Sequence, residues 1–233
     1  NVAYAWTKRF STVTGYTLSG IDYDSDSDSG ENYISNLFTQ DFRYAFTKLT
    51  TGVLTYRYGI TEYDNGFGDY TSQYFLGGVD HSFSRRTTGS FRAGAEVRDR
   101  DNGGSDTNPY AEASFSHSIA KQTYVRWYGR YGFEDADVGN YEDRTSFRTG
   151  VSVQQRFTNR LAGNLGANYV FDSYQGGTPE TDDNVIEVSL GLDYNVYKNL
   201  VLNTGYSFTT TTSDVAAREY DRHILSLGMT AKF

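Results

Sequence analysis

Residues 220–233 read Tyr-Asp-Arg-His-Ile-Leu-Ser-Leu-Gly-Met-Thr-Ala-Lys-Phe. Every second position is apolar: Leu225, Leu227, Met229, Ala231 and Phe233. The positions between them are small or polar: Ser226, Gly228, Thr230 and Lys232. A period of two predicts a β-strand with one face toward an apolar medium and the other toward water.

The composition agrees with a chain made of many such strands. Of the 233 residues, 37% are hydrophobic and 16% aromatic, with 24 Gly and only 2 Pro. No run reaches the roughly 18 apolar residues of a transmembrane helix, whereas the strands of a transmembrane barrel are polar at every second position. Cys is absent, which fits an exported chain without disulfides. The net charge of −8 argues against a nucleic-acid partner.

Short basic turns recur every 36–40 residues, which is a repeat signal. Each of them contains Lys or Arg, and they span 7–10, 47–50, 84–87, 120–123, 158–161 and 197–200. Longer acidic, Gly-rich segments alternate with them at 22–31, 62–70, 99–108, 134–143, 173–184 and 212–220. Of the 29 acidic residues, 23 lie in or beside these long segments and none lies in a short turn. The repeating unit is therefore a β-hairpin with differently charged ends.

Thirteen strands follow from this pattern. We expect them at 1–7, 11–22, 32–46, 50–62, 71–83, 88–99, 109–118, 123–134, 145–157, 161–172, 185–196, 200–211 and 220–233. At about 12 residues each they suit tilted membrane strands. A soluble β-sandwich also alternates, but it would bury its apolar face and would not sort charge between two kinds of turn.

At Phe233 the chain resembles bacterial outer-membrane β-barrels, which carry a strand-final aromatic residue as an assembly signal. Short periplasmic turns and long external loops are the rule in such barrels. We predict an all-β, transmembrane, antiparallel up-and-down barrel. Single-chain barrels have even strand numbers and no open edge in hydrocarbon. We therefore expect residues 1–233 to form a single domain, the C-terminal part of a barrel with at least 14 and most simply 16–18 strands.

Alternation places a set of charged side chains on the inward face. The predicted lumen-lining charges are Arg43, Arg57, Arg92, Arg98, Arg126, Arg130, Arg148, Arg156, Asp41, Glu96, Glu112, Glu187 and Asp193. Asp80 has the same alternation. One interpretation is a lumen held together by mutually paired charges. The other is a polar conduit whose arginines guide an anionic solute or polymer, because charged rings set ion preference in pores.

No cofactor is predicted, and the motifs of a metal or catalytic site are weak. The alternating Asp22, Asp24, Asp26 and Asp28 could offer oxygens to Ca²⁺, but the glycine and glutamate positions of an EF-hand loop do not match. A solvated acidic loop is the simpler interpretation, and loose divalent bridging to lipopolysaccharide phosphates is a further alternative. His223 with Asp221 and Ser226 is the one catalytic candidate, and we predict that the chain is not an enzyme.

Over all thirteen strands, the Tyr-rich hairpins, the Thr-Lys turns and the terminal Met-Thr-Ala-Lys-Phe resemble the putative β-barrel porin 2 group, some of whose members are associated with exopolysaccharide secretion. The resemblance implies a conduit for solutes or polysaccharide in the outer membrane of a Gram-negative (diderm) bacterium. The implied partners are outer-membrane lipid, lipopolysaccharide and the barrel-assembly machinery, with periplasmic export partners or further copies of the chain. The alternative is a structural or adhesive barrel with a blocked lumen, which binds partners through its acidic external loops.

Overall fold

The computed structural model consists of β-strands that follow one another along the chain in one antiparallel sheet, in sequence order. It describes residues 1–22, 32–64, 68–101, 104–135, 143–175 and 180–231. The described strands are β1 Val2–Ala5, β2 Phe10–Ile21, β3 Tyr33–Ala45, β4 Thr50–Tyr63, β5 Tyr70–Ser84, β6 Thr87–Arg100, β7 Ser105–Ala120, β8 Thr123–Asp135, β9 Asp143–Arg156, β10 Leu161–Gln175, β11 Thr181–Tyr197, β12 Leu200–Ser213 and β13 Tyr220–Ala231. The thirteen-strand, up-and-down prediction is confirmed.

Several strands extend further into the long-loop segments than the sequence predicted. β7 begins at Ser105, β10 continues to Gln175 and β11 begins at Thr181. Asp172 is the register partner of Asp183, so the β10–β11 ladder continues through residues that were assigned to a loop. Polar residues can extend a hairpin in this way because the ladder bonds come from the backbone.

Three of the six short turns begin with a Thr whose hydroxyl accepts hydrogen bonds from the backbone of the turn. The Thr7 side-chain oxygen accepts hydrogen bonds from the backbone N–H of Arg9 and Phe10, at 3.2 and 2.9 Å. Thr47 and Thr158 form the same pair of bonds in their turns. A side chain that satisfies the turn's backbone donors explains why Thr recurs there.

The chain forms two compact units. Unit 1 comprises Asn1–Ser82 and Ser90–Ala111, and unit 2 comprises Phe83–Gly89 and Glu112–Phe233. The prediction of a single domain over residues 1–233 stays a prediction. None of the helical segments in the described ranges reaches the length and hydropathy that a membrane-crossing helix needs; one short 3₁₀ helix, Ala216–Arg218, follows β12.

In each unit the two faces of the sheet differ in chemistry and in exposure. In unit 1, Phe91 is 49% exposed, whereas its neighbour Arg92 on the opposite face is only 8% exposed. In unit 2, Leu225 and Leu227 are 82% and 85% exposed. We call the two sides the apolar face and the charged face. An exposed, continuous apolar face requires an apolar medium, as in the lipid-facing side of a membrane barrel.

Two glycines of unit 1 lie where the contact between β5 and β6 leaves no room for a side chain. A β carbon at Gly94 would collide with the carbonyl group of Phe75, and one at Gly78 would collide with the carbonyl of Phe91 and the side chain of Arg92. These atoms are mostly backbone and cannot move aside cheaply. Both positions therefore need a residue without a side chain.

Candidate functional site: the charged face

The registers place the predicted charges of unit 1 on one face. Arg43 is the partner of Val53, Asp41 of Thr55 and Thr39 of Arg57, so these residues all alternate in step. On β6, Arg92, Glu96 and Arg98 occupy every second position. Arg92 forms an ion pair with Asp80 of β5, so these β6 residues lie on the same face of the sheet as Asp80.

A chain of ion pairs follows the charged face of unit 1 from strand to strand. Arg43 on β3 binds Asp80 on β5 at 2.5 Å, and Arg92 on β6 binds the other oxygen of Asp80 at 2.8 Å. Arg43 also lies 3.8 Å from Asp41, which accepts a 2.6 Å hydrogen bond from Thr55. These pairs join neighbouring or next-neighbouring strands and so reinforce the sheet itself.

Beside them, arginines and tyrosines pack into a dense group that we call the arginine–tyrosine cluster: Arg57, Tyr70, Tyr74, Glu96, Arg98 and Tyr110. Arg98 binds Glu96 at 3.0 Å and lies 4.4 Å from the ring centre of Tyr70. Arg57 donates a 3.1 Å hydrogen bond to the hydroxyl of Tyr110, whose ring is 5.2 Å from that of Tyr74. Glu96 and Arg98 are 0% and 3% exposed, so this ion pair is removed from water.

Unit 2 has its own charged face. Arg126 is the partner of Ser152, and Arg130 of Arg148. Ala162 on β10 lies between Arg156 on β9 and Asp193 on β11, and Asn168 lies opposite Glu187. Six of the predicted lumen-lining charges thus share one face: Arg126, Arg130, Arg148, Arg156, Glu187 and Asp193. Glu112 lies in β7 and is half-buried. That these charges line a lumen stays a prediction.

Arginines outnumber their acidic partners around Glu134. Arg130 and Arg148 both form ion pairs with this single carboxylate, and Arg144 lies 3.6 Å from it. Arg144 also binds Asp172 at 3.3 Å. Three guanidinium groups and the carboxylates of Glu134 and Asp172 thus form one ion-pair network on this part of the face.

Sequence reasoning missed a second group of residues near the long-loop end of unit 2. The hydroxyl of Tyr174, which is 1% exposed, accepts hydrogen bonds from Arg218 at 2.6 Å and from Arg144 at 3.1 Å. Arg218 also binds Asp183 at 2.5 Å. Arg144 continues the alternation of Arg148, and this continuation is the signal that could have extended the face.

Two arginines of the charged face have no partner among the described residues. Arg126 and Arg156 are exposed, and their guanidinium groups form neither an ion pair nor a hydrogen bond with the described parts of the chain. Arg222 lies 6.0 Å from the ring centre of Tyr220. The charged face of unit 2 therefore presents two exposed guanidinium groups to solvent, alongside Glu187 and Asp193, which form no ion pair with the described residues either.

Tyr128 lies along the sheet in unit 2. Its ring passes over Gly150, where a β carbon would lie 2.7 Å from a ring carbon, and its hydroxyl donates a hydrogen bond to Asn168 at 3.2 Å. Gly150 thus makes room for the ring to lie flat, so Tyr128 covers the face of β9 and reaches β10.

The remaining candidates separate in the structure. His223 hydrogen-bonds the hydroxyl of Tyr206 at 2.8 Å on the apolar face, while Ser226 alternates onto the opposite face, so the catalytic candidate does not assemble. Asp22 accepts a 3.1 Å hydrogen bond from Asn32. Asp24, Asp26, Asp28 and Phe233 lie outside the described residues. Within those residues, no group of three or more metal-ligating side chains converges.

An antiparallel meander with one exposed apolar face and one charged face defines a membrane-spanning β-barrel protein. The sequence model of the family described as "Putative beta-barrel porin 2" matches residues 69–233, and the chain belongs to this family. No curated protein matches the sequence.

Solved structures with a similar fold are outer-membrane barrels. The siderophore receptor PirA from Pseudomonas aeruginosa gives a TM-score of 0.61 at 9% identity, over 97% of this chain and 41% of the receptor. A bacterial polysaccharide outer membrane secretin gives 0.59 at 15% identity, over 97% of this chain and 69% of that protein. The FrpB iron transporter from Neisseria meningitidis gives 0.56 at 10% identity, over 88% and 41%. At these identities the likeness shows the fold alone.

The chain spans about two fifths of the length of the receptors that it resembles. Its family and its fold place it in the outer membrane of Gram-negative bacteria. The family description is that of a porin and not of an enzyme.

Proposed function

We propose that the chain contributes to the wall of an outer-membrane conduit that carries anionic or highly polar solutes, or a secreted polysaccharide. The observation that carries this proposal is the pair Arg126 and Arg156, two exposed arginines of the charged face that have no partner among the described residues. Charged side chains along a pore set its ion preference, and guanidinium groups that are exposed to the pore favour anions.

The direction of the ion pairs supports an open conduit over a filled one. Arg43, Arg92 and Asp80 join β3, β5 and β6, while Arg148 and Glu134 join the neighbouring strands β9 and β8. Such pairs run along the sheet between neighbouring or next-neighbouring strands, and so they reinforce the sheet itself. Tyr128 agrees with this pattern, because it lies along β9.

Polysaccharide is one cargo within this proposal. A bacterial polysaccharide outer membrane secretin is among the structures with a similar fold. Hydroxyl and amide side chains on the charged face of unit 2, such as Asn164, Ser189 and Ser207, would suit a hydroxyl-rich chain. We further propose contacts with lipopolysaccharide and the barrel-assembly machinery, and with periplasmic export partners or further copies of the chain.

The arginine–tyrosine cluster favours a second candidate function, a structural or adhesive barrel with a blocked lumen. Arg57 on β4 reaches Tyr110 on β7, two strands beyond its neighbour. Large side chains that interlock over several strands can fill a narrow barrel.

Single-channel recording from the complete natural protein in planar bilayers tests the two functions. We expect large current steps and, under a salt gradient, a reversal potential that indicates anion preference. Silence from a protein that migrates as a folded barrel would overturn the open conduit and favour the blocked barrel. Steps with cation preference would contradict the part of the proposal that rests on arginine.

A further inference from the structure

A recess opens on the charged face of unit 2, at the short-turn end of β8–β11. Its volume is about 410 Å³, and its polar lining includes Tyr124, Gln154, Arg156, Asn164 and Asp193. We call it the Arg156 recess. Pockets that hold small ligands occupy roughly 300–1,000 Å³, so the recess has room for one or two sugar rings.

The recess exists because a small residue stands between two charged ones. Ala162 is the register partner of both Arg156 and Asp193. Its methyl group cannot fill the space between the guanidinium on one side and the carboxylate on the other. Asp193 is held by a 2.7 Å hydrogen bond from Asn203, and no ion pair links it to Arg156.

Three polar side chains of the recess are available to a ligand. Gln154, Arg156 and Asn164 are exposed, and none of their side chains hydrogen-bonds to the described parts of the chain. Tyr124 adds an aromatic ring that is 40% exposed. Two amides, a guanidinium and a ring edge thus converge without being used by the protein.

The polar lining continues along the sheet. A second recess of about 310 Å³ shares Asn164 and Asp193 with the first. It adds the side chains of Ser189, Asn203, Ser207 and Ser226, and Gly191 and Gly205 keep it shallow. The two recesses together form a track from Arg156 to β13. Hydroxyl and amide side chains line this track, and Asp193 is its acidic residue.

We infer that the Arg156 recess is a binding subsite for a carboxylated saccharide unit, a uronate, and this inference rests on the conduit function proposed above. The guanidinium of Arg156 binds the carboxylate, since planar, bidentate recognition of that group is what arginine does best. Gln154 and Asn164 bind ring hydroxyls, and Tyr124 lies against the sugar ring. The adjacent serine-lined recess accepts the next, hydroxyl-rich unit. An apolar ligand would leave all of these polar groups unsatisfied.

Binding is measured by titration calorimetry of the complete natural protein in lipid nanodiscs with trigalacturonate. Maltotriose, acetate and inorganic phosphate serve as comparison ligands. We expect trigalacturonate to bind at least about tenfold more tightly than each of them, because it alone offers both carboxylates for Arg156 and ring hydroxyls for the amides. Equal affinity for phosphate or acetate would overturn the inference in favour of a simple anion site, and equal affinity for maltotriose would exclude carboxylate recognition.

Two variants and a matched control locate the site. Arg156→Gln is expected to weaken trigalacturonate binding about tenfold or more, and Ala162→Leu is expected to weaken it by filling the recess while all charges are retained. Arg160→Gln removes the same charge from the next short turn, outside the recess, and should leave affinity unchanged. Equal loss in Arg156→Gln and Arg160→Gln, or full affinity in Ala162→Leu, would overturn the subsite.

Channel recordings in the same preparation separate this inference from the conduit function. Trigalacturonate should interrupt the current of the natural protein, and Arg156→Gln should shorten the interruptions. A protein that conducts but binds no trigalacturonate would contradict the subsite and still support the conduit function. A protein that passes no current but still binds trigalacturonate through Arg156 would contradict the conduit function and still support the subsite.

Discussion

The arginine–tyrosine cluster of unit 1 and the Arg156 recess of unit 2 arise from the same alternating pattern and end in opposite states. In the cluster, Arg98 is 3% exposed and Tyr110 is 7% exposed. In the recess, Arg156 is exposed and faces Ala162. The difference lies in the size of the neighbouring side chains. Side-chain volume, and not charge alone, decides whether a polar face closes or stays open.

The largest effect is expected from removal of Arg98. Arg98→Leu leaves the buried carboxylate of Glu96 without this partner, and breaking a buried ion pair costs about 3–5 kcal/mol. Arg126→Leu in unit 2 removes an exposed arginine and should change stability by less than about 0.5 kcal/mol. Urea unfolding of the two variants in detergent micelles measures both. Similar losses of stability in the two variants would show that the two charged faces are packed alike, and would contradict the contrast between a closed face in unit 1 and an open face in unit 2.

A smaller loss is expected from Gly94→Ala. The added methyl group must displace the backbone at Phe75, and overpacking of this kind costs about 1–3 kcal/mol. Gly228→Ala in unit 2 is the matched control, because its new methyl group would find its nearest neighbour, the β carbon of Asn203, at 4.0 Å. The same unfolding assay decides. A Gly94→Ala protein as stable as Gly228→Ala would mean that β5 and β6 are free to separate.

The open face should dominate ion selectivity. Replacement of Arg126 and Arg156 together by Gln is expected to reduce anion preference several-fold, because these guanidinium groups carry no described partner. The control is the double substitution of Arg85 and Arg86 by Gln, which removes the same amount of charge from a short turn. Reversal potentials measured under a salt gradient give the ratio of anion to cation permeability. A larger shift in the control would place the selective charges at the turns.

Sequence reasoning could identify the strands and the two faces because both follow from a local period of two, and the family because its hairpins, turns and terminal residues are visible in the sequence. It could not identify the hub at Tyr174, since Arg144, Arg218 and Asp183 come from three different segments that meet only in the folded register. Nor could it distinguish the packed face from the open one. That difference depends on which residue stands opposite each charge, such as Ala162 beside Arg156, and register is a property of the sheet.

The smallest effect is expected at the short turns, where the two units should behave alike. Thr47→Ala in unit 1 and Thr158→Ala in unit 2 each remove a hydroxyl that accepts two backbone hydrogen bonds at 3.0–3.1 Å. Both turns are exposed, so water can replace part of the lost bonding, and each variant should lose about 0.5–1 kcal/mol. Thr→Ser at the same positions keeps the hydroxyl and should keep the stability. A much larger loss of stability in Thr158→Ala than in Thr47→Ala would mean that the two units differ in their turns as well as on their charged faces. Side-chain volume alone would then not explain the open recess, which lies beside the turn that contains Thr158.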